Sequence, residues 1–258
     1  MDGTFAVTCR SVIKCNVLQS SCFVSIRVFG SKPETRHHDR HPSALEGVRA
    51  ARWIRFVSAC SAAGRNKTEQ IMTRISNAKI AILATDGFEE VELTEPLGKL
   101  QAAGADVHVI SNKSGTIRGW DQDHWNREIK VDKQLSEIRV TDYDALVLPG
   151  GQINPDVLRA DPKVVSFVRE FFNSKKPLAA ICHAPWLLIE ADVVRGRDVT
   201  SYKSIRTDIV NAGGNWLDQE VVCHEALITS RNPGDLPAFI DKIIEEVEEG
   251  RHQDRKVA

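Results

Sequence analysis

Nowhere in the 258 residues do roughly 18 apolar residues run uninterrupted, the length a membrane-spanning helix needs. No C-x-x-C occurs, so the chain lacks both a thioredoxin-type redox motif and the close cysteine pairing of a zinc finger. It has no G-x-G-x-x-G and no G-x-x-x-x-G-K-[ST], which argues against a dinucleotide or ATP site. An excess of one charge is missing too: 34 Lys and Arg face 35 Asp and Glu, a net charge of −1 that gives no global attraction to nucleic acid. Methionine is scarce, with Met72 the only one after Met1. What is present is 42% apolar and 27% charged residues, the balance of a soluble globular chain long enough for one large domain or two small ones.

The charge is unevenly spread. Residues 1–78 carry 12 Lys/Arg against 5 Asp/Glu, whereas residues 79–258 carry 22 against 30. Four of the six cysteines, Cys9, Cys15, Cys22 and Cys60, also fall in the basic part. Residues 1–71 are read as a poorly structured N-terminal extension. It is either a transit segment, because such segments are basic, Ser-containing and acid-poor, or translation from upstream of a functional start at Met72. The cluster His37, His38 and His41 reads as a solvated tail rather than a metal site.

From Lys79 the pattern becomes regular. Apolar strand-like runs at 79–85, 105–111, 144–149 and 177–181 alternate with helical spacing at 89–103, 164–173 and 185–191. A hairpin is expected from strands near 116–120 and 128–132. A short helix at 205–211, a strand pair at 219–223 and 226–229, and a last helix at 236–249 complete the domain; residues 250–258 are a flexible tail. Such alternation predicts an α/β protein with a mostly parallel sheet and helices on both faces. Ligands then bind outside the carboxyl ends of the strands, which directs attention to residues 86–90, 150–156 and 182–185.

The sharpest of these is Ala-Ala-Ile-Cys182-His183-Ala184-Pro185. A Cys at the end of a buried strand, with a helix opening behind it, has the placement of a nucleophile elbow. A helix N-terminus favours a negative charge, so the thiol is expected to titrate below its free value of ~8.5. The free N–H of His183 is suited to holding an oxyanion. The competing reading is a buried structural Cys. Among weaker candidates, Trp120, His124 and Trp125 either wall a cleft or pack an exposed hairpin. Arg231 either steers an anionic substrate or braces the turn before the last helix. His108, Cys223 and His224 read as structural.

Several motifs together resemble the PfpI family of intracellular proteases and deglycases, in the class I glutamine amidotransferase-like superfamily. They are Thr85-Asp86-Gly87-Phe88-Glu89-Glu90, Leu148-Pro149-Gly150-Gly151, Ala180-Ile181-Cys182-His183 with Pro185, Arg195-Gly196-Arg197, and Thr229-Ser230-Arg231-Asn232-Pro233. The resemblance spans residues 79–249. It implies a flavodoxin-like three-layer sandwich in which Cys182 is the nucleophile and His183 the general acid/base. By the same resemblance Glu89 lies against the thiol, Gly151 adds a second oxyanion N–H, and Asp156 reaches the His of a neighbouring subunit. Glu89 is expected to be protonated when the thiol is ionised, since two negative charges would repel; the competing reading is an acid that complements the helix N-terminus. Two positions depart from the pattern. Asp156 stands where protease-type members have Glu, and Ala184 where Gly is usual, its methyl expected to narrow the pocket. No cofactor and no metal is implied. The expected partners are a peptide, glycated-protein or small carbonyl substrate and further copies of the chain, as homodimer or hexamer, with neither nucleic acid nor membrane. The expected activity is a Cys-dependent hydrolase, a peptidase or a deglycase acting on glyoxal- or methylglyoxal-derived adducts. The alternative is a stress-response holdase or redox sensor built on an oxidisable Cys182. An amidotransferase role ranks last, because no downstream His-x-Glu pair is present. Without a disulfide signature a reducing cytoplasm is the default compartment, and an organelle follows if residues 1–71 are a genuine transit segment.

Overall fold

The structure is a computed structural model that describes residues 74–253 together with 255 and 256. The readings of the basic extension, its cysteines, its His cluster and Met72 lie outside the described residues.

A seven-stranded sheet forms the centre, in the order β11-β12-β8-β7-β1-β3-β6. These strands are β1 (Lys79–Leu83), β3 (Asp106–Ser111), β6 (Lys133–Gln134), β7 (Ala145–Leu148), β8 (Leu178–Ile181), β11 (Val221–His224) and β12 (Leu227–Ser230). Every pairing is parallel except β11 with β12 at one edge. Parallel strands covered on both faces need apolar side chains in both directions. Accordingly all four residues of β7, β8 and β12 are buried.

The two faces separate residue by residue. Ala81, Leu83, Leu146, Leu148, Leu178 and Ala180 enter one apolar cluster, whereas Ile80, Ile82, Ala145, Val147, Ala179 and Ile181 enter the other. On the first side pack α2 (Ile153–Arg159), α3 (Pro162–Asn173) and α4 (Pro185–Glu190). On the second side pack α1 (Glu90–Ala102) and α6 (Leu236–Glu249), which also touch each other. Helix α3 illustrates why. Val164, Phe167, Val168, Phe171 and Phe172 are all buried and follow the i, i+3, i+4, i+7, i+8 spacing of one helical stripe. Asp161 caps the helix by accepting from the N–H of Lys163 at 3.0 Å, and Pro162 occupies its first turn, where a missing N–H costs nothing. This three-layer α/β sandwich with a mostly parallel sheet is the expected fold class.

Outside the central sheet, β2 (Phe88–Glu89) joins a hairpin of β4 (Thr116–Asp121) and β5 (His124–Lys130). The hairpin strands are longer than their apolar pattern suggested, because Trp120 faces Trp125 across the ladder in a T-shaped contact at 5.4 Å. Short strands β9 (Asp198–Val199) and β10 (Asn215–Trp216) flank α5 (Arg206–Asn211). Helix α2, absent from the sequence reading, fills the segment after the Gly-Gly turn.

Candidate active site

Neighbouring strands β8, β7 and β1 end side by side, so the turns after them converge: residues 84–89, 149–152 and 182–184. Asn154 locks two of these turns together. Its buried amide donates to the carbonyls of Pro149 (2.8 Å) and Gly150 (3.2 Å), and its Oδ1 accepts from the N–H of Thr85 at 2.7 Å. Sequence reasoning passed over this residue, since an Asn in a polar turn shows nothing of its burial.

Cys182 sits at the elbow with φ +63°, the left-handed region that a side chain occupies at a cost. The strain is held by surrounding bonds. Its N–H donates to the Ser230 carbonyl at 3.1 Å, and its own carbonyl accepts from the N–H of Tyr202 at 2.8 Å. Glycine is free of the Cβ penalty at such a φ. Cys182→Gly is therefore expected to be more stable than Cys182→Ala by roughly 1 kcal/mol, read from urea midpoints; equal midpoints would show that the elbow stores no strain.

The carboxyl beside the thiol belongs to Glu92, which corrects the expectation for Glu89. Glu92 is fully buried, accepts from the N–H of Gly150 at 2.8 Å and makes a side-chain hydrogen bond with Cys182. Glu89 lies just outside α1, half-buried and paired with the hairpin at Trp120. The reason is helix geometry: α1 begins at Glu90, so Glu92 falls on the stripe of Pro96 and Leu100, which are buried with it. Burial pushes the Glu92 carboxyl up to about 8. Its Oε1 has no hydrogen-bond partner, so an ionised form would leave charge unsolvated, and the group is protonated at neutral pH. Burial also raises Glu89, helped by the Asp121 and Glu90 charges.

The Cys182 thiol is shifted opposite to the expected direction. Burial raises it most and the Glu92 carboxyl adds to this, while the N–H groups of Gly151 and His183 pull it down. Helix α4 has only six residues, and its short dipole does not outweigh the loss of water around a residue only 7% exposed. Two acids in contact cannot both ionise cheaply. A neutral Glu92 removes the repulsion and can donate to the sulfur, and two backbone N–H groups already point at it. The backbone of Gly151 is possible only for glycine, with φ +80° and the place of a Cβ 2.6 Å from the Gly87 carbonyl oxygen.

His183 is buried between two rings, Tyr202 stacked at 5.0 Å and Trp186 tilted at 5.0 Å. Burial lowers its pKa, so the imidazole is neutral near pH 7. Its Nδ1 is buried without a hydrogen-bond partner. Asp156 does not fill that position within the chain. Its exposed carboxylate accepts from Arg159 at 2.6 and 3.0 Å, and Arg159 in turn covers the Trp186 ring at 4.6 Å. Ala184 departs from expectation as well: it is fully buried in the apolar cluster beneath the elbow, so its methyl packs the core rather than narrowing an entrance.

The weaker candidates have their polar groups engaged elsewhere. Trp120 donates its ring N–H to the Gln122 carbonyl, and exposed His124 pairs with Asp123 at 2.9 Å, both at the hairpin tip. Arg231 is occupied by Asp235 (2.8 and 3.0 Å) and Asp218 (2.8 Å), which braces the turn before α6.

A thiol at a strained strand–helix elbow, flanked by a protonated carboxyl, a neutral His and two backbone N–H groups, is an arrangement on which an α/β scaffold can support thiol nucleophilic chemistry. Residues 78–246 match the DJ-1/PfpI family, and the chain belongs to it. Among curated relatives, protein/nucleic acid deglycase 2 of Escherichia coli is 47% identical over 62% of this chain and 92% of its own length. The Bacillus subtilis protein YraA, provisionally named a cysteine protease, is 44% identical over 62% of this chain and 93% of its own. A two-domain Anabaena variabilis protein with DJ-1/ThiJ/PfpI-like and ferritin-like domains superposes with a TM-score of 0.64 at 34% identity; the match covers 70% of this chain and about half, 52%, of that one. Among the described residues no helix is long and apolar enough to cross a membrane.

Proposed function

We propose that the protein is a cysteine hydrolase that removes glyoxal- or methylglyoxal-derived adducts from proteins, with Cys182 as nucleophile and His183 as general acid/base. The observation that carries the reading is the sulfur itself, held against a protonated Glu92 with two backbone N–H groups aimed at it. The adduct, a carbinolamine, first breaks its C–N bond: the protein amine leaves with the carbinol O–H proton carried by His183. The thiolate adds to the aldehyde carbon so exposed, whose oxygen takes up the charge beside the Gly151 and His183 N–H groups. Glu92 or His183 then supplies the proton that completes the hemithioacetal. A proton shift from the sulfur-bearing carbon to the neighbouring carbonyl carbon converts this to a thioester, and water releases the acid and returns the thiol. A residue only 7% exposed suits a small carbonyl carbon projecting on a side chain. An extended peptide backbone would have to run past the sulfur on both sides.

The unpartnered Nδ1 of His183 calls for an acceptor, and we assign that part to Asp156 of a second subunit, whose exposed carboxylate is free to swing from Arg159. Two measurements test these assignments. Methylglyoxal-treated and untreated peptides are offered side by side, and loss of adduct without backbone cleavage is expected; cleavage of the untreated peptide would replace the deglycase reading with a peptidase. Inactive Cys182→Ala and Asp156→Ala chains are then mixed, and recovered activity is expected in the mixed oligomer. A mixture that forms hetero-oligomers yet stays inactive would remove Asp156 from the site.

A further inference from the structure

At the end of the sheet opposite the elbow turns, where the His252 N–H donates to the Lys175 carbonyl just before β8, the end of α6 carries a second cluster of reactive side chains. Glu246 is buried on the inner face of α6, 4% exposed. Exposed Glu249 lies on the last turn, and His252 follows the Gly250 cap. Their ligand atoms lie within 4.8 Å of one another. The Glu246 Oε2 and His252 Nε2 are only 2.8 Å apart, yet both are buried without a hydrogen-bond partner. The contact lacks the geometry of a hydrogen bond, which leaves both atoms open to a shared third partner. The second Glu246 oxygen is held separately: Oε1 accepts from the Cys223 thiol at 3.1 Å. One oxygen is thus oriented by an outer partner while the other faces the cluster, the arrangement that fixes metal-ligating carboxylates.

We infer that Glu246, Glu249 and His252 form a site for a divalent cation of the zinc type, with Cys223 as the positioning residue behind Glu246. Imidazole nitrogen with carboxylate oxygens is a donor set that zinc accepts. A cation roughly 2.0–2.2 Å from each donor in tetrahedral array needs donors about 3.3 Å apart. The separations of 2.8 Å (Glu246 to His252) and 3.8 Å (Glu249 to His252) bracket that value, and the Glu246 and Glu249 oxygens lie within 4.8 Å of each other, so side-chain adjustment within the cluster brings all three donors to one cation. A fourth position is left for water. Binding would fasten the segment after Gly250 to α6 and, through Cys223, to edge strand β11. The alternative occupant is a proton, giving a His252–Glu246 ion pair and nothing more.

The test uses the full chain carrying Cys182→Ala, so that zinc on the active-site thiol does not contribute. Zinc chloride titration followed by calorimetry should lose one bound equivalent per chain on adding His252→Ala, and the same equivalent on adding Glu246→Gln. Zinc at about 100 times its dissociation constant should raise the melting temperature of the Cys182→Ala chain by roughly 5–10 °C and leave the His252→Ala chain unmoved. His252 is half-buried beyond the helix, so its replacement leaves the core intact even if Glu246→Gln folds poorly. An unchanged zinc count in the His252→Ala chain, or a melting shift equal in both chains, overturns the proposal.

Discussion

Cys182→Ala should lower removal of methylglyoxal adducts by ~10³-fold or more, with the folded state retained. The sulfur is the only group at the elbow able to form the carbon–sulfur bond on which each later step depends. What survives is the background from the Gly151 and His183 N–H groups, which still polarise a carbonyl but have no nucleophile to aid. Loss of the sulfur also removes the partner of the Glu92 carboxyl, at a small cost to stability because a neutral carboxyl tolerates an apolar neighbour. Adduct release followed by mass spectrometry, beside a circular-dichroism melt, separates the two effects. Turnover within tenfold of the native chain would end the enzymatic reading, whereas holdase activity that survives alone would favour the stress-protein alternative.

Glu92→Gln is expected to change the pH dependence of both folding and thiol reactivity. The folded carboxyl titrates at about 8 against an ordinary 4.5. A raised folded value means the folded state holds its proton more tightly than the unfolded chain does. That contribution is complete below about pH 4.5 and is lost progressively as pH rises through about 8. The native urea midpoint should therefore fall between pH 6 and 9. In Glu92→Gln this fall should disappear, because the amide still accepts from the Gly150 N–H and has no proton to lose. Iodoacetamide labelling of Cys182 should show an inflection near pH 8 in the native chain, and in the variant only the ionisation of the thiol itself. Adduct turnover should drop ~10²-fold, as expected when a positioned acid is removed. Glu92→Leu leaves the Gly150 N–H buried and unpaired and should cost about 1–3 kcal/mol beyond the Gln variant. A native midpoint that is flat from pH 6 to 9 would show that Glu92 is ionised, and the protonated-carboxyl account of the site would fall.

The Cys182 elbow was legible in the sequence because it combines three local signals: an apolar run of strand length, a break, and Pro185 at the first helical position. Glu92 was not singled out, although a signal existed. Three glutamates fall within four residues, at 89, 90 and 92, and motif matching fixed on the wrong one. Helical phase distinguishes them, since Glu92 shares a stripe with Pro96 and Leu100 and Glu89 precedes the helix. A charged residue on an apolar stripe is either an error of pattern or a buried functional acid. Asn154 offered no such signal, because its burial depends on how two turns from distant strands meet.

The direction of the thiol shift shows where local reasoning ends. Helix-terminus electrostatics can be read from residue order, and it favours ionisation. Desolvation depends on everything packed around the atom, and here it prevails. The same division holds for the whole molecule. Strand and helix periods, the order of their alternation and the Gly, Pro and Cys punctuation are properties of neighbouring residues, so the chain order alone determined an α/β sandwich with its chemistry at the strand ends. Which carboxyl meets the sulfur, which group of another element orients the Glu246 side chain, and which histidine nitrogen is left without a partner are matters of contact between residues far apart in the chain. Only tertiary packing decided those, because burial and distance are set by the meeting of elements and not by any one of them.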